Sequence, residues 1–355
     1  MRLMHVIAGA EHGGAETYFG DLLTAFANAK NLPAGFKQYA VLRPHPPRVE
    51  RVTQANIPYA TLSFRGILDF TSGPKLRKLI ADYQPTIVQS WMNRSTSFVP
   101  VKKNFIHVGW HGGYYNMKHY QHCDHVIVIT EDMRQTVLRT GWPEDRLHLI
   151  PPFAPEDRAE PIARAEFSTP QHVPLFLALA RLHVKKGLDT LLKALVKVPD
   201  AHLWIAGEGP LRKELEKLCQ DLNLQNRVRF LGWRTDRAAL LAACDAVVFP
   251  SRYEPFGVVT LEAWAQRRPL VAAASAGPRS VITDESDALL VPVDNVEALT
   301  QGMKRLIADK SLAARLTEAG YQTFQLKYSQ KAAVQNHLNF YQAIAEQGPL
   351  IKRAA

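Results

Sequence analysis

The densest chemistry in the sequence lies at residues 250–265, P-S-R-Y-E-P-F-G-V-V-T-L-E-A-W-A. Pro255 and Gly257 oppose a helix through this whole span, so Glu254 is expected in a loop and a helix from Val258 onward. Glu262 then falls inside that helix among Val, Leu, Ala and Trp. A carboxylate in so apolar a run either faces solvent or has a partner. The first amides of a helix, here Val258, Val259 and Thr260, have no intrahelical acceptor, and the helix start carries about half a positive charge. That suits a phosphate. Glu262, one turn in, can accept hydrogen bonds from ribose hydroxyls, and Glu254 can hold hydroxyls of a transferred sugar. The competing reading is that Glu254 caps the helix and Glu262 is solvated.

Arg181 directly follows an apolar strand pattern at 175–180, and Lys186-Gly187 opens the next helix pattern. Two cations at such an edge can neutralise a departing diphosphate; oriented donors of this kind are each worth about 3–4 kcal/mol in other enzymes. Lys185 is the neighbouring competitor, with ordinary surface charge as its simpler role. Gly207 and Gly232 also end strand patterns, at the sheet edge where α/β proteins carry ligands. Near the start, G-A-E-H-G-G-A-E (9–16) joins the first strand to the first helix, and its glycines permit close backbone approach to a ligand. The turn lacks G-x-G-x-x-G, and no acidic residue stands at the end of the second strand, which disfavours a nicotinamide dinucleotide. Glu16 reads equally well as a ligand contact or as a helix-start residue favoured by the dipole. Residues 105–115, F-I-H-V-G-W-H-G-G-Y-Y, end another strand in a glycine-rich loop.

The segment E-P-F-G-V-V-T-L-E resembles the E-x7-E motif of retaining glycosyltransferases of the GT-B fold, family 4 (glycosyltransferase group 1). Further blocks fit the same pattern in order: A-R-L-H-V-K-K-G-L-D (180–189), A-G-E-G-P-L (206–211), R-V-R-F-L-G (227–232) and A-C-D-A-V-V-F-P-S (243–251). The resemblance covers nearly all of the second half and is sparser in the first. It implies that Arg181 and Lys186 bind donor phosphates and that Gly13 and Gly14 approach the pyrophosphate. Gly207, Gly232, Phe256, Gly257, Val258 and Val259 complete the expected donor set with Glu254 and Glu262. Trp233 and Arg234 stand where the base would lie. His111, of an H-G pair, is expected to be catalytic beside the acceptor, with His107 as its rival; Tyr114, Tyr115 and Lys118 would shape the acceptor pocket. Arg181, Lys186 and Glu254 share the catalytic role. The resemblance further implies transfer from a nucleoside-diphosphate sugar, as co-substrate rather than cofactor, with retention of configuration. No D-x-D motif is present, so no metal is called for.

These residues must be positioned by alternating strands and helices, the pattern of parallel sheets with crossover connections. Strands are expected at 2–8, 38–42, 86–90, 105–109, 125–129 and 147–150, with a helix at 15–28 burying Tyr18, Leu22, Leu23 and Phe26. A second set is expected at 175–180, 202–206, 228–231, 246–249, 270–273 and 288–291, with helices at 186–197, 211–222, 236–243, 258–266 and 296–308. Residues 151–174, rich in Pro and charge, read as a linker. The expected architecture is α/β, two Rossmann-like doubly wound domains facing a central cleft. Residues 1–155 form an acceptor-binding domain and 156–328 a donor-binding domain, and a final helix in 329–355 packs back toward the first.

The hydrophobic fraction of 46% is that of a globular protein, and no stretch approaches the ~20 apolar residues of a membrane span. Cys123, Cys219 and Cys244 have neither metal-ligand nor disulfide spacing, which makes the cytoplasm the expected compartment. The net charge of +10 is spread over short clusters: Lys75, Arg77 and Lys78; Lys102 and Lys103; Lys352 and Arg353. A glycan, lipopolysaccharide or lipid-linked acceptor at the inner, anionic face of the cytoplasmic membrane would suit them, as would simple solvation. No nucleic-acid-binding module is recognisable. The rivals are a GT-B epimerase or phosphorylase and, further off, a nicotinamide-dinucleotide-binding protein.

Overall fold

The computed structural model describes residues 1–11, 13–65, 69–101 and 104–350. The chain divides into two compact units, one of Met1–Pro152 with Gln330–Ala355 and one of Phe153–Ser329.

The first unit is built on seven parallel strands: β1 (Arg2–Ile7), β2 (Lys37–Leu42), β3 (Tyr59–Thr61), β4 (Ile87–Trp91), β5 (Ile106–His111), β6 (His125–Val128) and β7 (Leu147–Leu149). Their order is β3-β2-β1-β4-β5-β6-β7, so the winding reverses between β1 and β4. Strands β4 and β5 are buried along their whole length, as expected of a parallel sheet covered on both faces. The helix Gly14–Asn28 buries Tyr18, Leu22, Leu23 and Phe26, the expected face. The last helix, Gln330–Gln347, belongs to this unit. Its His337 Nε2 lies 3.1 Å from the Tyr18 hydroxyl, and its Tyr341 hydroxyl donates to Gln89 at 2.6 Å.

The second unit carries six parallel strands: β8 (Leu175–Leu179), β9 (His202–Ala206), β10 (Val228–Gly232), β11 (Ala246–Phe249), β12 (Leu270–Ala273) and β13 (Leu289–Val291). The order β10-β9-β8-β11-β12-β13 reverses between β8 and β11. Leu191 and Leu195 of the helix Leu188–Val196, with Leu299 and Met303 of the helix Val296–Ala308, pack over Val248 and Ile205 of the sheet.

Two differences from the sequence reading have clear causes. Strand β3 was not expected, because its three residues are partly exposed and pair with β2 alone. The stretch 151–174 is more than a linker: from Phe153 it belongs to the second unit. Arg164 is buried there, donating to the carbonyls of Ala243 at 3.0 Å and Val173 at 2.9 Å and pairing with Asp245 at 3.0 Å. A segment fastened by such polar contacts, with Thr169 and the Phe167 carbonyl bonded in the same way to Trp204 and Arg229, leaves no hydrophobic period to read.

Candidate active site

In an open parallel sheet, ligands bind beyond the carboxyl ends of the strands where the winding reverses. In the second unit that point lies between the loops after β8 and β11, and the two loops are fastened together. The amides of Arg252 and Tyr253 donate to the carbonyl of Lys185 at 2.9 and 3.1 Å. Gly187 lies in the left-handed region at φ 62, and any side chain there would run into the carbonyl of Pro250. Lys186 Nζ pairs directly with the Glu254 carboxylate, with the side chains only 17% and 16% exposed. Lys185 instead places its ammonium 4.5 Å from the centre of the Tyr253 ring, a cation–π contact. Arg181, just past β8, is exposed and makes no ion pair among the described residues. Of the cations here, it is the one left available to an anion.

The loop after β11 reaches its helix as expected. Gly257 is the cap of the helix Val258–Ala265 at φ 93, and no side chain caps it, so Glu254 is not a capping residue. Val258 and Val259 occupy the first turn, where amides lack intrahelical acceptors. The carbonyl of Glu254 accepts from Gly277 at 2.8 Å, which seats the loop on the helix Ala276–Val281. Phe256 is buried against that helix. Glu262 is 6% exposed, and its Oε1 accepts from Arg237 at 2.7 Å. It therefore has a partner rather than a solvated face. Arg237, from the helix Arg237–Ala243, was not foreseen; the apolar neighbours of Glu262 demanded a counter-charge but gave no address for it.

The ends of β8, β9 and β10 converge through glycine. A side chain at Gly207 would strike the carbonyl of Ala180, and the Gly207 amide donates to Gly232 at 2.7 Å. Trp233 follows, 57% exposed. Arg234 donates through Nε to Asp236 at 2.8 Å and lies 5.5 Å over the Phe167 ring.

In the first unit, the turn after β1 is closed by Glu16, whose carboxylate accepts from the Ala10 amide at 2.8 Å. Gly9 and Gly13 leave the room that this carboxylate fills, while Gly14 faces open space. His111 ends β5, buried, with Nε2 3.1 Å from the carbonyl of Tyr115. A carbonyl only accepts, so Nε2 carries the proton and Nδ1 is left as an acceptor, without a partner among the described residues. Burial holds its pKa below the ordinary histidine value, which favours the neutral ring. His107 lies near the other end of β5, buried and 2.8 Å from the Ser90 hydroxyl. Tyr114 donates to Asp132, Tyr115 packs edge-on to His111 at 5.4 Å between ring centres, and Lys118 is exposed.

Lys75, Arg77 and Lys78 are exposed on the helix Ser72–Tyr83, Lys78 pairing with Asp82 at 2.7 Å. His12, Lys102, Lys103, Lys352 and Arg353 lie outside the described residues. Among the described residues, no helix is long and apolar enough to cross a membrane.

Residues 160–323 match the sequence model of the glycosyl transferases group 1, and residues 12–158 that of glycosyltransferase family 4. The chain is 31% identical to the lipopolysaccharide core biosynthesis glycosyltransferase LpsD of Rhizobium meliloti (strain 1021), over 96% of this chain and 98% of that protein. Its structure is similar to that of a glycosyltransferase from Rickettsia africae ESF-5, with a TM-score of 0.83 and 19% identity, covering 97% and 98% of the two chains. It is similar also to HepE of Anabaena in complex with UDP and glucose, with a TM-score of 0.79 and 18% identity, covering 97% and 100%. Two doubly wound parallel-sheet units are the architecture of the GT-B fold. With nearly its whole length matched by a relative and both halves by the family, the chain belongs to the group 1 glycosyltransferases.

Proposed function

We propose that this glycosyltransferase moves a sugar from a nucleoside-diphosphate donor to a lipopolysaccharide or related lipid-linked glycan, with retention of configuration and without a metal. The observation that carries the reading is the Lys186–Glu254 pair at the point of reversal, with Arg181, which makes no ion pair among the described residues, at the end of β8. In this scheme Arg181 and the first amides of the helix Val258–Ala265 receive the donor diphosphate, which suits the oriented positive charge at a helix start. Lys186 is then shared between that diphosphate and Glu254, while Glu254 accepts from hydroxyls of the sugar. Glu262, held by Arg237, takes the ribose hydroxyls.

As the sugar–phosphate bond breaks, negative charge grows on the leaving oxygen. Arg181 and Lys186 meet it without reorganising, the condition under which fixed charges lower a barrier most. The acceptor enters on the face the diphosphate leaves, and the leaving phosphate takes its proton. The neutral His111 ring, whose Nδ1 has no partner among the described residues, can accept from a hydroxyl of the acceptor. The lipopolysaccharide assignment is supported by the name of the relative LpsD. Exposed Lys75 and Arg77 suit contact with an anionic membrane face.

The test combines thermal denaturation with product analysis. A nucleoside diphosphate at about 100 times its Kd should stabilise the protein by about 2.7 kcal/mol. An α-linked donor should yield an α-linked product by NMR. A β-linked product would refute retention, and no stabilisation by uridine, guanosine or adenosine diphosphate would refute the donor assignment.

A further inference from the structure

Arg252 lies in the loop after β11, two residues before Glu254, and is surrounded by polar groups from the turn after β8, the start of the helix Leu188–Val196 and the loop after β13. Its Nε donates to Asp294 Oδ1 at 2.6 Å. Its Nη1 donates to the carbonyl of Val184 at 2.7 Å and lies 2.7 Å from Asp189 Oδ1. Its Nη2 donates to Asp189 Oδ2 at 2.7 Å and to the Thr190 hydroxyl at 3.2 Å. Every nitrogen of the guanidinium is thus engaged, and the two carboxylates hold its pKa above the ordinary arginine value. Thr190 closes the network by donating to Asp294 at 2.9 Å. Asp294, just past β13, adopts a left-handed conformation at φ 58, which aspartate tolerates better than most residues.

A guanidinium so occupied has nothing left for a donor phosphate. What it does have is a grip on each side of the catalytic pair. Val184 and Asp189 flank Lys186 in sequence, and Arg252 itself is part of the strand of chain that carries Glu254. The backbone bonds from Arg252 and Tyr253 to Lys185 run alongside this grip. We propose that Arg252 is a positioning residue. It ties its own loop to the turn after β8 through Val184, to the start of the helix Leu188–Val196 through Asp189 and to the loop after β13 through Asp294, and so sets the distance between Lys186 and Glu254. The inference rests on the glycosyl-transfer reading of that pair.

Because the ribose is assigned to Glu262, outside the network, and the diphosphate also has Arg181 and the first amides of the helix Val258–Ala265, loosening the clamp should damage alignment far more than ground-state binding. Arg252→Ala is expected to lower kcat by about 100-fold, the order of loss that accompanies a displacement of about 1 Å at a reacting centre. Donor KM and the affinity for UDP or GDP should change less than about threefold. Lysine is a point charge that cannot fork between two carboxylates, so Arg252→Lys should recover little. In a Glu254→Gln background, Arg252→Ala should cost under about threefold, because the residue it positions has already been disabled. Equal losses in both backgrounds, full recovery by lysine, or a loss confined to KM would overturn the proposal.

Asp294→Asn keeps the side-chain size and weakens one arm of the clamp, and it serves where Arg252→Ala does not fold. Hydrogen exchange separates loop order from turnover. Asp294→Asn should accelerate exchange at the amides of Arg252 and Tyr253 and leave that of Leu261 unchanged. Unaltered exchange at the first two would sink the clamp whatever reaction the enzyme performs. A wild type that binds no nucleoside diphosphate would sink only the functional reading.

Discussion

Lys186 and Glu254 neutralise each other in a place largely closed to water, so removing either leaves the other as a poorly solvated charge. Lys186→Ala is expected to cost about 1–3 kcal/mol of stability, measured by denaturant unfolding, and to lower kcat by about 100-fold or more. The double substitution Lys186→Ala, Glu254→Ala should restore part of the stability and none of the turnover. Glu262→Gln should behave differently. It keeps the shape and loses the charge facing Arg237, and calorimetry with the nucleoside diphosphate should show binding weakened about tenfold with the fold intact. The residues that the sequence revealed are those whose local setting is unusual: a glutamate just ahead of a proline and a glycine, another in an apolar helix, a cation straight after a strand. Arg237 and Arg252 were not readable in this way. Their importance lies in which carboxylates they meet, and those carboxylates are chosen by packing between elements far apart in the chain.

At the scale of elements, the loops are held as firmly as the strands. Gly187 combines a left-handed backbone with contact against the Pro250 carbonyl, so Gly187→Ala should cost about 2 kcal/mol or more and abolish turnover. Gly14 is the useful contrast. It opens the helix Gly14–Asn28 into empty space, and Gly14→Ala should change stability by no more than about 0.5 kcal/mol. If its backbone approaches the donor pyrophosphate, KM should nonetheless rise; an unchanged KM would remove Gly14 from the donor set. Buried parallel strands announced themselves as unbroken apolar runs, and β11 and β12 fall at the expected residues. Strand β3 and the packed stretch around Arg164 did not, since neither buries a continuous apolar face.

Across the molecule, the buried histidines of the first unit and the buried Asp287 of the second should respond to acid in opposite directions. In the first, burial lowers the pKa of His5 and His337 to about 3 and of His148 to about 4. The unfolded chain therefore binds more protons than the folded one between those values and about 6.5, and this unit loses stability as pH falls through that window. In the second, burial raises Asp287 to about 6, so its folded form holds a proton that the unfolded form releases above about 3.8. Its contribution is full at low pH and fades as pH rises toward 6. Each fully effective group changes stability by roughly 1.4 kcal/mol per pH unit within its window. Hydrogen exchange corrected for intrinsic rates, compared at pH 7 and pH 4.5, should show β1 and the helix Gln330–Gln347 loosening first. Preferential loosening of the segment around Asp287 would contradict this. The alternation of strands and helices made two sheets visible in the sequence. Histidines 5, 148 and 337 gave no such sign, because only the fold buries them together with Tyr18 and Phe340.

The return of the last helix to the first unit also bears on synthesis. His337 meets Tyr18 across 319 residues of sequence, and Tyr341 meets Gln89 across 252. On the ribosome, β1 to β7 emerge early but lack the helix that meets Tyr18 and Gln89 until the whole second unit is made. The continuous segment Phe153–Ser329 has all its sheet partners and can close before the first unit does. A chain truncated after Ser329 should thus hold a closed second unit with an unfinished first one, the reverse of the usual order in which domains mature.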